Sequence, residues 1–167
     1  MVHNFFYAFC RWSDQTILAK LVRTSVWAFP SVETVHLLAL GILGGIVLLL
    51  NLRLLGVSIL RDEPLPSIAR STWRALLISL GVMLVSGYAL FSSEAMKDFF
   101  NWGFRLKMAS LLTAIIFTLT IHRRFVLTND ENLRPGLSRV VAIVSLLLWL
   151  TVGLGGRSIG YITGYTH

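Results

Sequence analysis

The chain has 167 residues, 55% of them apolar and only 14% charged, with a net charge of +7. Its mean hydropathy of +0.72 is far above that of an ordinary soluble domain and excludes a soluble enzyme. Nucleic-acid binding is also excluded, because the arginines sit at the ends of apolar stretches and not on one surface with aromatic partners.

The first thirty residues differ from the rest. Ile17, Leu18, Leu21, Val22 and Val26 recur at helical spacing, while Asp14, Lys20 and Arg23 interrupt any spanning run. Residues 1–30 are therefore expected to hold an amphipathic helix in the membrane interface, capped by Ser13 or Asp14 and stopped near Pro30. A cleaved signal peptide fits poorly, since no compact apolar segment ends in small residues there. A mitochondrial-type presequence remains an alternative.

Four apolar stretches follow, at residues 32–55, 73–91, 104–125 and 140–162. About 20 apolar residues carry a helix across a hydrocarbon core of about 30 Å, so each is a candidate span. The third is the least pure, flanked by Arg105, Lys107 and His122, whose stems can reach the interface. The first connection, around residues 61–72, contains Asp62, Glu63, Pro64 and Pro66; the last, residues 127–138, contains Asn129, Asp130, Glu131, Asn132, Pro135 and Gly136. Short connections between adjacent spans predict an all-α, integral membrane, up-and-down four-helix bundle forming a single domain with an N-terminal interfacial helix.

Sidedness follows from the basic residues. Arg53, Arg61, Arg70, Arg74, Arg123, Arg124, Arg134 and Arg139 flank the first and third connections, whereas the second has only Lys97. The opposite face does carry Arg11, Lys20 and Arg23, so the asymmetry is modest. It places both termini outside, on the periplasmic side of a bacterial inner membrane, and makes the net charge a matter of topology and anionic lipid contact.

Ionisable groups inside spans are costly and point to function. His36 lies about one turn into the first span, with Ala39, Leu40, Leu43 and Gly44 on its helical face. It suits either a metal ligand approached by a flat macrocycle, or a histidine bonded to a neighbouring helix or the headgroup boundary. Lys107 and His122 share one broad stripe of the third span but lie about 22 Å apart along it, too far for one small site. Counting span directions puts His36, Lys107 and Arg157 in one outer layer, level with Trp27, Tyr88, Trp102, Tyr161 and Tyr165. An imidazole with two cations matches the iron and two propionates of a b-type haem. The same residues also suit snorkelling cations within an ordinary aromatic belt. The lone Cys10, without a C-x-x-C-H motif, excludes covalent haem attachment. Gly41 and Gly45, and then Gly156, Gly160 and Gly164, are spaced for close helix contact.

Three segments carry a resemblance. His36-Leu37-Leu38-Ala39 with Gly41, Gly44, Gly45 and Leu52-Arg53-Leu54-Leu55-Gly56 is similar to the first span of small bacterial four-helix membrane proteins of unknown function. These resemble the membrane domain of copper-resistance D proteins and the HemJ-type protoporphyrinogen oxidases. Phe104 to Met108, running on to His122, is similar to the lysine-bearing span of the HemJ type, and Gly155-Gly156-Arg157-Ser158-Ile159 to the Gly-Arg element closing the last span of the small family. The resemblance implies a haem-associated bundle with His36 as ligand and Lys107 as its companion. Spans two and four lack a histidine, so a sixth ligand would come from Met108, Met96, water, His3, His167 or a partner subunit. His122 would ligate a second haem near the inner face.

Two functions are thus expected in different classes. One is a membrane b-type haem protein exchanging electrons with quinone or a periplasmic redox partner, His36 holding iron and Lys107 and Arg157 the propionates. The other is a non-redox accessory subunit of a larger membrane complex, or of a homo-oligomer. Porphyrinogen oxidation is a third. No G-x-S-x-G, H-E-x-x-H or phosphate loop occurs, so nothing marks the chain as an enzyme by itself.

Overall fold

The computed structural model describes the backbone of residues 2–57, 62–127 and 135–162, and side chains within 7–57, 62–97, 101–127 and 136–156. The described residues are helical, with no strand among them. Two short helices, α1 (Val2–Asp14) and α2 (Ile17–Thr24), precede four long ones. These are α3 (Ala28–Leu54), α4 (Leu65–Phe100), α5 (Trp102–Leu127) and α6 (Pro135–Ile162). All four are long and apolar enough to cross a membrane, as in a multi-pass membrane protein.

The N-terminal segment departs from the expected single helix. Thr16 and not Ser13 or Asp14 caps α2, its Oγ1 accepting from the Ala19 amide at 3.2 Å. Pro30 does not stop a helix; it lies in the first turn of α3, where a missing N–H costs nothing. In α2, Ala19 and Val22 pack inward, while Ile17 (78% exposed), Leu18 and Leu21 form an outward apolar stripe available to lipid.

Span boundaries also move. The second helix begins at Leu65 and not near residue 73, because Ser67, Arg70, Ser71 and Arg74 lie on its exposed side while Ile68, Ala69 and Leu76 are buried. Much of the expected first connection is therefore helix. α3 ends in a Schellman cap, with Val57 N–H donating to Leu52 C=O and Gly56 N–H to Arg53 C=O, both at 3.0 Å. Gly56 has φ +91°, a left-handed conformation that glycine adopts without strain. Between α4 and α5 only Asn101 intervenes, its side chain capping α5 through the Gly103 amide at 2.9 Å. Residues 128–134 of the last expected connection lie outside the described residues.

α3 packs along α4, and α6 packs along both α5 and α3. The main core joins Ala39, Leu43 and Val47 of α3 to Leu76, Leu80 and Met83 of α4. A second cluster joins Leu50, Ile68, Ala69 and Val126 towards the other end of these helices. Outward, Leu37, Leu38, Ile78, Val85, Leu112, Leu147 and Leu154 are exposed, which is consistent with contact with a lipid bilayer.

Close contact through Gly41 and Gly45 of α3 does not occur: a Cβ built on either would meet nothing within 4 Å. The glycines that do touch a neighbouring helix are Gly87, Gly155 and Gly156. Gly160 and the side chain of Arg157 lie outside the described side chains, and Gly164 outside the described backbone.

Candidate functional site

His36 stands on the α3 face that packs against α4. Its Nδ1 lies 3.0 Å from Ser86 Oγ. Serine has one hydroxyl proton, and the Ser86 hydroxyl is aimed at the Val82 carbonyl, 2.6 Å away. Ser86 Oγ therefore accepts, and His36 Nδ1–H donates. This fixes the tautomer that leaves Nε2 with a lone pair, the arrangement common to metal-bound histidines. The ring lies against Gly87, where a Cβ would come within 3.1 Å of His36 Cε1.

Lys107 approaches from α5. Its stem runs across α6, where a Cβ on Gly155 would fall 3.2 Å from Lys107 Cβ and one on Gly156 would lie 3.5 Å from Nζ. The ammonium and the Glu33 carboxylate are both near enough to act electrostatically on His36. His36, Lys107 and the α6 glycines thus share one end of the helix assembly, and Arg157, next to Gly156, continues the same helix. Aromatic rings surround that end: Phe9 stacks on Phe91 (6.4 Å) and Phe91 on Phe104 (5.2 Å), joining α1, α4 and α5. Trp27 and Trp102 are strongly exposed there.

Of the candidates for a second ligand, Met96 packs with Cys10, Ala95 and Phe91, and Met108 is exposed. His3 and His167 lie outside the described side chains. Among the described residues no three His, Cys, Asp or Glu side chains converge. A metal that brings its own four equatorial donors, as a macrocycle does, needs only one such nitrogen.

His122 occupies the opposite end and a different setting. Between Thr118 and His122, α5 widens into a π-turn that swings the imidazole into the interior, where it is fully buried. Asn51 spends its amide protons on the Val47 carbonyl (2.8 Å) and Ser145 Oγ (3.0 Å), so its Oδ1 accepts from His122 Nε2–H at 3.0 Å. Nδ1 is then a buried lone pair with no partner among the described residues. One turn away along α6, Trp149 Nε1 donates to Thr118 Oγ1 at 3.0 Å, so α6 holds the start of the π-turn directly and its end through Asn51 of α3. Each such interhelical bond contributes about 0.6 kcal/mol in a bilayer, and the orphaned nitrogen costs about 1–3 kcal/mol.

Ser86, Gly87, Asn51 and Ser145 did not stand out in the sequence. Asn51 had a signal, being a strong polar group within an apolar stretch. Serine and glycine in a span carry little signal alone. No curated protein and no solved structure matches the chain. A family model does match, over residues 9–162, and the chain belongs to that family of unknown function, DUF6644.

Proposed function

We propose that the protein is a membrane b-type haem protein that exchanges electrons with quinone or a periplasmic redox partner, and that His36 would hold the iron. One observation carries this reading: Ser86 holds His36 Nδ1–H, which leaves Nε2 as an oriented lone pair on a ring packed against Gly87, within electrostatic reach of Lys107. The donor set fits. His36 would supply a nitrogen to the iron, Lys107 would supply a cation for one propionate, and Arg157, on the adjoining helix, would supply a cation for the other. When bound, the group supplies a one-electron iron couple. The chain's part is to orient the imidazole through Ser86, to neutralise the propionates, and to exclude water with the Phe9–Phe91–Phe104 stack. The resemblance to copper-resistance D and HemJ-type membrane domains supports the same reading. We place the haem at His36 because the lone pair of His122 is enclosed by three helices. The arginine distribution supports insertion in a bacterial inner membrane with both termini periplasmic.

A non-redox accessory subunit is the second reading, favoured by the outward apolar stripe of α2. Absorption spectra of protein purified from haem-replete cells separate the two. The wild type shows a Soret band and a reduced α-band, His36→Ala loses both, and His122→Ala keeps them. A colourless wild-type preparation refutes the haem reading and promotes the accessory one.

A further inference from the structure

Seven residues on a helix return to the same face two turns, or about 10 Å, further along. Phe29 and His36 stand in that relation on α3, as do Ser93 and Ser86 on α4. A cavity of about 510 Å³ lies at the Phe29 and Ser93 level, where α2 meets a break in α4 at Glu94 (φ −130°, ψ 22°). That volume is typical of a ligand pocket.

Its lining is dipolar. Arg23 is ion-paired with Asp14, and its Nε donates to the Ser93 carbonyl at 3.0 Å. Lys97 Nζ meets Glu94 Oε1 at 3.0 Å. The cavity thus offers two cations and two carboxylates, with Phe29 and Met96 as its apolar part. The four charged side chains are 27% to 68% exposed, so each retains donors or lone pairs for a ligand.

We propose that this cavity binds the headgroup of a phosphatidylethanolamine-type lipid. Its phosphate meets Arg23 and Lys97, its primary ammonium meets Asp14 and Glu94, and its acyl chains leave past Phe29 and Met96. A choline headgroup has no N–H to give the carboxylates. A phosphoglycerol headgroup has no cation to offer them. The bound headgroup roofs the His36 layer two turns away and separates it from water. The proposal rests on the membrane reading of the four long helices and is independent of haem.

Native mass spectrometry of the full chain in detergent, with phosphatidylethanolamine, phosphatidylcholine and phosphatidylglycerol of matched acyl chains, tests it. The ethanolamine lipid is retained about tenfold better than either other lipid, the worth of one charge-assisted hydrogen bond. Arg23→Gln with Glu94→Gln removes the preference. Lys97→Gln, an exposed change that leaves the Asp14–Arg23 pair intact, lowers retention of the ethanolamine lipid several-fold even if the double variant fails to fold. Equal retention of the three lipids by the wild type overturns the proposal, as do a preference for phosphatidylglycerol or unchanged retention in Lys97→Gln.

Discussion

The two membrane-level histidines present opposite solutions to the same physical problem. Both imidazoles have one nitrogen fixed as a donor, His36 through Ser86 and His122 through Asn51. Each is left with one lone pair. At His36 that lone pair is Nε2 of a half-buried ring that packs against Gly87 and lies within electrostatic reach of Lys107. At His122 it is Nδ1, buried with no hydrogen-bond partner among the described residues. The hydrogen bond at His36 joins α3 to α4 and leaves Nε2 with its lone pair, whereas the bonds at His122 and Asn51 join α3, α5 and α6 to one another. A histidine in a span is thus informative only together with the partner of its other nitrogen.

Substitutions that break one end and spare the other sharpen the contrast. The largest effect is expected at the His122 end from Asn51→Leu, which removes the acceptor of His122 and the donor to Ser145 inside the packed helices. Unfolding in detergent should show a loss of about 2–4 kcal/mol, with haem absorbance at His36 retained. Next comes Ser86→Ala. Removing the group that orients a ligating histidine lowers affinity about 10- to 100-fold, read by haem titration, while thermal stability barely changes.

Gly155→Ala should cost about 1–3 kcal/mol, because the new methyl group meets Lys107 Cβ at 3.2 Å and its Cα at 3.4 Å, atoms that move only if α5 and α6 separate. Gly156→Ala, facing the mobile end of the same lysine at 3.5 Å, should cost little. A modest change, about 1 kcal/mol, is expected from Ser145→Ala, which leaves one buried Asn51 N–H without its acceptor while Asn51 keeps its Val47 and His122 partners. If Ser145→Ala proves as damaging as Asn51→Leu, the three-helix node is not organised around Asn51. If Asn51→Leu bleaches the protein, the two ends are not independent.

Four long apolar helices were legible in the sequence, because apolar length is a property of consecutive residues and needs no knowledge of neighbours. Counting span directions also put His36, Lys107 and Arg157 in one layer; the structure brings His36 and Lys107 within electrostatic reach of each other, and the side chain of Arg157 lies outside the described residues. The extent of α4 was not legible, since Ser67, Arg70 and Ser71 read as a polar connection until packing shows them on the exposed side of a continuing helix. Nor was the π-turn, which no local propensity marks. Above all, only the tertiary structure paired His36 with Ser86, 50 residues away, and His122 with Asn51, 71 residues away. Those pairings depend on how far each helix is rotated and slid against its neighbour, and a shift of one residue turns a side chain by about 100° away from its partner.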